Sequence, residues 1–198
     1  MEYWNHNTAY HQWILQRVQP GQRVLDVGCG EGLLLARLEQ HGCSGLGLEP
    51  DAATARRARR RNVAVLETRF ADFDAPPESF DAVCMVASVH HMPLVDTLVR
   101  ARDLLAPGGR LLVVGLAANK SWQDWAFSAL QLPLVRWRRD AHDINVPIAQ
   151  PRQSLTEIRE IAAAVLPGMR IRRGLYYRYL LHWHNAFRRF CGCGFSCG

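Results

Sequence analysis

Val24-Leu25-Asp26-Val27-Gly28-Cys29-Gly30-Glu31-Gly32 is the stretch that decides the fold. Its first half belongs to a short β-type run, Arg23 to Val27, and its glycines lead into a helix of the Leu33-Leu34-Leu35-Ala36-Arg37-Leu38 kind. Glycines at such a turn let backbone approach a ligand where side chains would block it. The helix that follows presents free amides and a partial positive charge, suited to a carboxylate or phosphate. A second strand, Ser44 to Leu48, ends at Glu49, 21 residues after Gly28. An acid at that strand end is placed to accept from both ribose hydroxyls of a nucleoside. Together the two signals imply an adenosine-containing cofactor.

Working outward, Asp51 caps a helix expected to run through Arg61, and Val63 to Glu67 reads as a third strand. Phe80 to Val86 is a continuous apolar run of the kind buried on both faces of a parallel sheet. Leu94 to Leu105 reads as a helix closed by Pro107-Gly108-Gly109, a turn expected to fit neither helix nor strand. Arg110 to Gly115 is the fifth strand. Strands alternating with helices predict an α/β fold, a doubly wound, mostly parallel sheet. Ser154-Leu155-Thr156-Glu157 has capping-box spacing and opens a helix to about Leu166, stopped by Pro167-Gly168. Met169 to Arg173 and Leu175 to Trp183 are too close in sequence for a parallel pair, so they predict a terminal antiparallel hairpin and a seven-stranded sheet.

The 198 residues, 22.4 kDa, suit one domain, expected over 1–190 with an N-terminal cap at 1–20. With 48% hydrophobic and 21% charged residues the composition is that of a globular protein. No apolar run reaches the roughly 18 residues of a membrane span. The start, Met1-Glu2-Tyr3-Trp4-Asn5-His6, lacks a secretory pattern, so a cytoplasmic location is expected. The net charge of +6 permits anionic partners without requiring nucleic acid. Arg56-Arg57-Ala58-Arg59-Arg60-Arg61 lacks interleaved aromatics and reads as a solvated helix face. The excursion Ala117 to Pro151, rich in tryptophan and arginine, is expected to be a substrate lid; a membrane-surface helix over Trp125 to Arg139 is opposed by Pro133. Cys191, Cys193 and Cys197 in the tail 191–198 are spaced too closely for an ordinary zinc site, even with His182 or His184, and no metal is expected. A flexible tail is the reading preferred.

A dinucleotide turn would carry glycine at Leu33; instead the glycines are Gly28, Gly30 and Gly32, preceded by Asp26. Val24 to Gly32 resembles the first motif of the class I S-adenosylmethionine-dependent methyltransferases. Further matches follow in order. Glu49-Pro50 resembles the family's ribose-binding acid and its neighbour. Ala71-Asp72-Phe73 resembles the segment in which an Asp meets the adenine amino group and an apolar neighbour covers the ring. Ser79 to Met92 resembles the fourth strand and its loop, and Leu105 to Leu111 the turn into the fifth. The resemblance covers roughly residues 20 to 116, and the overall likeness is to small bacterial enzymes of the ubiquinone and menaquinone biosynthesis type.

The resemblance implies methyl transfer from S-adenosylmethionine by in-line displacement, with the cofactor held by Asp26, Gly28, Cys29, Gly30, Gly32, Glu49, Pro50, Asp72, Phe73 and Ala87, and by Tyr10 from the N-terminal segment. A base is needed only for an acceptor that arrives protonated. His91 and His90, at the mouth of the site, are the candidates, with His6 and His11 behind them; the pair could equally end the strand and cap the next helix. The segment around Tyr10 and His11 either folds over the cofactor or packs as a helix on the sheet edge, Trp13 and Ile14 inward. Ala87-Ser88-Val89-His90 lacks the Asn/Asp-Pro-Pro-aromatic pattern for DNA amines, so a small-molecule acceptor, methylated on O, N or C, is expected. An RNA methyltransferase, a nicotinamide-dependent oxidoreductase and a non-catalytic S-adenosylmethionine-binding module are the alternatives.

Overall fold

The computed structural model describes residues 8–118, 151, 153–174 and 178–186. Seven strands form one sheet: β1 (Arg23–Val27), β2 (Ser44–Leu48), β3 (Val65–Leu66), β4 (Phe80–Val86), β5 (Leu105–Leu116), β6 (Arg170–Arg173) and β7 (Arg178–His184). Their order is β3-β2-β1-β4-β5-β7-β6. The first five run parallel, while β7 pairs antiparallel with β5 and with β6. This is the predicted doubly wound sheet with its terminal hairpin.

Helices cover both faces because the strands are apolar on both. α1 (His11–Leu15), α2 (Leu33–Gln40) and α3 (Ala52–Arg59) lie on one side. There Ile14, Leu35, Leu38 and Ala58 pack with Val24, Ala82, Leu112, Val114 and Leu180. On the other side, α4 (Leu94–Asp103) and α5 (Leu155–Val165) bring Leu98, Ile158 and Ala162 against Leu25, Val83, Leu111, Val113 and Leu181. Alternate residues of each strand enter opposite cores. Strand order reverses direction between β1 and β4, and ligands of such sheets settle in the crevice beyond the strand ends at that reversal.

Local chemistry sets the element ends. The Asp51 carboxylate accepts from Thr54 N–H at 2.8 Å and caps α3. That helix stops at Arg59, short of the expected Arg61, as the chain turns through Asn62 at φ 60°. Ser154 and Glu157 form the predicted capping box of α5. The third strand is shorter than expected, with only Val65 and Leu66 paired to β2.

Pro107-Gly108-Gly109 corrects the expected turn between helix and strand: α4 ends at Asp103 and β5 runs straight through the three residues. Phe80 pairs with Leu105 and Ala82 with Arg110, so the extra residues bulge out of the ladder. Asn185 fastens the bulge, its side-chain amide donating to the Leu105 and Ala106 carbonyls at 2.9 and 3.2 Å. Its backbone exchanges hydrogen bonds with Gly108 and Gly109. That partner lies 76 residues beyond Gly109, out of reach of local pattern.

Among the described residues no helix is long and apolar enough to cross a membrane. The expected lid lies almost wholly outside the described residues, as do the amphipathic stretch Trp125–Arg139 and the tail cysteines. Its two ends stand side by side, Ala118 N–H donating to Gln153 O at 2.8 Å.

Candidate functional site

The carboxyl ends of β1, β2 and β4 meet at the reversal point, and backbone groups build most of what is there. Gly28 N–H and Cys29 N–H both donate to the Leu48 carbonyl, at 2.8 and 3.0 Å, folding the glycine turn back over β2. Gly28 has φ 72°, and an ideal Cβ on it would lie 2.5 Å from Ser88 Cβ. Only glycine lets these two strand ends approach so closely. Gly32, at φ 73°, stands at the start of α2, where a Cβ would meet Val63 at 2.8 Å. By contrast, a Cβ on Gly30 would meet nothing within 4 Å, so that position faces open space.

Glu49 stands at the end of β2 with its carboxylate already oriented. One oxygen accepts from Gly30 N–H at 3.0 Å, the other from Asp51 N–H at 3.0 Å. A carboxylate has about four lone-pair positions, so acceptor capacity remains on both oxygens. Pro50, next in sequence, is exposed. Asp26 lies fully buried beneath the turn, and its Oδ1 has no hydrogen-bond partner among the described residues. Burial, reinforced by the Glu49 charge, pushes its carboxyl up to about 7.

The other expected cofactor residues fall into three situations. Cys29 turns its side chain inward, so close to β2 that a Cβ on Gly47 would meet its Sγ at 2.6 Å. Burial pushes the thiol well above its usual range, leaving Cys29 only backbone to offer a ligand. Asp72 is exposed at the end of a 3-10 turn, Phe70–Asp72, while the neighbouring Phe73 ring is buried 6.3 Å from the Phe80 ring. Ala87 follows β4 at φ 55°, an uncommon conformation for a residue with a Cβ. It is tied to β5 through its N–H, which donates to Val114 O at 2.7 Å.

Ser88 escaped sequence reasoning. It is buried, and its hydroxyl donates to Val27 O at 2.6 Å, linking the ends of β1 and β4. Its sequence signal is a small polar residue two positions after an apolar strand.

The histidine pair sits in a 3-10 turn, Val89–His91, beyond β4. The rings are 4.1 Å apart, with His90 partly buried and His91 exposed. Burial, then the neighbouring His91 and Arg178, lowers His90 to about 4. Arg178 opens β7 opposite Leu116, the last residue of β5. Nothing in its local sequence marked it. Burial lowers its guanidinium to about 10.

Of the two readings of the N-terminal segment, the described part matches the helix packed on the sheet. Ile14 is fully buried, Trp13 is partly so, and Arg17 lies over the Trp13 ring at 4.6 Å. His11 is buried too, lowered to about 4 by burial and by Arg37. The Tyr10 hydroxyl reaches the β6–β7 connection, 2.7 Å from where a Gly174 Cβ would stand. His6 lies outside the described residues. The arginine run 56–61 is exposed and locally engaged: Arg57 and Arg61 pair with Glu31 at 2.9 and 3.6 Å, and Arg59 with Glu67 at 3.9 Å. Among the described residues no group of three or more His, Cys, Asp or Glu side chains could hold a metal ion.

Sheet order, glycine turn and strand-end acid define a doubly wound enzyme of the nucleoside-cofactor kind. A methyltransferase-domain family model matches residues 3–159, and the chain belongs to that family. It is 37% identical over 193 residues to an uncharacterized methyltransferase of Mycobacterium bovis, covering 91% of this chain and 96% of that one. It is also 32% identical over 130 residues to a ribosomal protein L11 methyltransferase of Ralstonia pickettii, covering 64% of this chain and 43% of that one. Among solved structures, an S-adenosylmethionine-dependent methyltransferase of Thermotoga maritima, described as a possible histamine N-methyltransferase, superposes with TM-score 0.62 at 17% identity, covering 89% of this chain and 88% of that one. A geranyl diphosphate methyltransferase in complex with S-adenosylmethionine gives 0.65 at 16% identity, covering 90% and 85%. The chain is therefore a class I methyltransferase with S-adenosylmethionine as its cofactor.

Proposed function

We propose that the chain methylates a small-molecule acceptor in the crevice beyond β1 and β4, and that residues 1–190 act as one catalytic domain. The observation that carries this reading is the convergence of the glycine turn, Glu49 and the His90–His91 turn at one end of the sheet. Arg178, from the start of β7, stands near His90, and Tyr10 stands near Arg178, so the acceptor side has a wall of its own.

S-adenosylmethionine supplies an electrophilic methyl group on sulfonium. The described residues fit it. Gly30 leaves open space above a helix start, Glu49 offers free lone pairs for ribose hydroxyls, and Asp26 holds a buried oxygen without a partner that suits an ammonium group. Gly28, Cys29, Gly32, Pro50, Phe73 and Ala87 serve through backbone and shape, and Asp72 offers a carboxylate to the adenine amino group. Tyr10 serves the same site from the side of β7.

The protein's catalytic contribution is to hold the acceptor nucleophile in line, an effect able to supply roughly 7 to 11 kcal/mol. His91 is the better placed to take a proton from an acceptor hydroxyl. His90, neutral down to about pH 4, is a weak proton acceptor and serves to shape the wall. The residues Ala87 to His90, which lack the pattern for DNA amines, support a metabolite as acceptor, and a place near the enzymes of ubiquinone and menaquinone biosynthesis is part of the same proposal.

Methyl-labelled S-adenosylmethionine incubated with the protein and host extract tests this. Label should enter the small-molecule fraction and disappear with Glu49→Ala. Label in RNA would overturn the small-molecule reading, and cofactor binding with no transfer to any fraction would favour a binding module.

A further inference from the structure

Six cations that the methyl-transfer crevice does not use are gathered on one face. On the α1 side of the sheet, the β5–β7–β6 register puts Arg110 beside His184, and His182 beside Arg170. Arg172 follows two residues along β6, roughly 6.6 Å further on. Arg17, just after α1, completes the group, with Arg110 donating to its carbonyl at 2.6 Å. Four arginines and two histidines from four separate segments thus face one another.

Their electrostatics confirm the convergence. After burial, what lowers Arg17 is the charge of Arg172 and Arg110. What lowers His182, after burial, is Arg17, Arg110, His184 and Arg170. No ion pair joins a carboxylate to Arg17, Arg110, Arg170 or Arg172 among the described residues, whereas the arginine run on α3 has Glu31 and Glu67. The Nε2 of His182 is buried within the group and has no hydrogen-bond partner among the described residues.

Charges on β6 alone would be explained as protection of an exposed sheet edge. That explanation does not reach Arg17 just after α1, Arg110 on β5, or His182 and His184 on β7. Like charges this close repel, and an anion of matching size removes the repulsion. Arginine forks suit phosphate oxygens, and a buried imidazole nitrogen supplies one further contact.

We propose that this face binds an oligophosphate group of a small ligand, at a site separate from the methyl-transfer crevice. Arg178 marks the crevice end of β7 and His184 the opposite end, about 20 Å away along the strand. The Cα positions of the cations spread over about two strand spacings by four residues, on the order of 10 Å by 13 Å, which long arginine side chains can close around a diphosphate and which exceeds the reach of a single small anion.

The test is calorimetric titration of the full chain with inorganic pyrophosphate at low salt, with S-adenosylmethionine affinity measured on every variant as the control for folding. Wild-type protein should bind one pyrophosphate. Arg170→Ala with Arg172→Ala, two exposed edge positions, should weaken binding at least tenfold and leave cofactor affinity within twofold. Arg56→Ala with Arg60→Ala removes the same charge from α3 and should leave pyrophosphate binding unchanged. Three results would each overturn the proposal: no binding by wild type, equal weakening by the α3 pair, or binding of a short single-stranded RNA without binding of pyrophosphate. The last would assign the face to nucleic acid.

Discussion

The Ser88 hydroxyl donates to the Val27 carbonyl at 2.6 Å across the point where strand order reverses. This bond ties the end of β1, which carries the glycine turn, to the end of β4, which carries the histidines. Loss of the hydroxyl in Ser88→Ala leaves a buried carbonyl without its partner, and the expected cost is about 1 to 3 kcal/mol. Chemical denaturation checks it. Gly28→Ala should do more, because its new Cβ meets Ser88 at 2.5 Å and φ there is 72°. A Gly28→Ala protein of unchanged stability and cofactor affinity would contradict the close approach.

Glu49 is held by two backbone donors, so its carboxylate needs no reorganisation before meeting a ligand. Glu49→Gln turns one of its acceptor oxygens into a donor facing a backbone N–H. S-adenosylmethionine affinity should fall by about 1 to 3 kcal/mol, roughly 5- to 150-fold. Calorimetry reads this directly, and an unchanged Kd would remove Glu49 from the ribose site.

Asp26 gives a pH prediction with a definite sign. Its carboxyl is raised from 3.8 to about 7 by burial first and Glu49 second. The folded state therefore retains a proton that the unfolded chain releases, and stability falls as pH rises from about 4 to about 7. The full effect is on the order of 4 kcal/mol. Asp26→Asn, which cannot ionise, should melt above wild type at pH 8 and lose that advantage toward pH 4. Its S-adenosylmethionine affinity should nevertheless be weaker at pH 8, since the charge offered to the cofactor ammonium is gone. Equal melting temperatures at pH 8 would show that Asp26 finds compensation in solution.

The alternation of strands and helices and the glycine turn were legible because they depend on short-range pattern: apolar runs, Gly28 to Gly32 after a strand, Glu49 ending the next. The capping box at Ser154 was legible for the same reason. Pro107-Gly108-Gly109 misled because the groups that absorb it into β5 belong to Asn185. Ser88 and Arg178 were silent because their surroundings come from other segments, Val27 for one and the β5 end for the other. Cys29 lay in a motif that predicts contact with a cofactor, but a motif does not say which way a side chain turns, and Gly47 leaves the thiol room to turn inward.

His90 and His91 are neighbours in sequence with opposite environments, which makes their roles separable. His90 is partly buried and lowered to about 4 by burial, then by His91 and Arg178, so it stays neutral across the usual assay range. Its replacement by glutamine should leave the shape of the pH–rate profile intact, whatever it does to acceptor KM. His91 is exposed on the same turn, where an acceptor can reach it. His91→Ala should slow turnover about 100-fold or more, the usual range for a positioned base, with cofactor affinity unchanged. His91→Gln should not restore the rate, because an amide cannot take the proton. Full rate in both His91 variants would mean the acceptor arrives deprotonated, and the crevice then works by alignment alone.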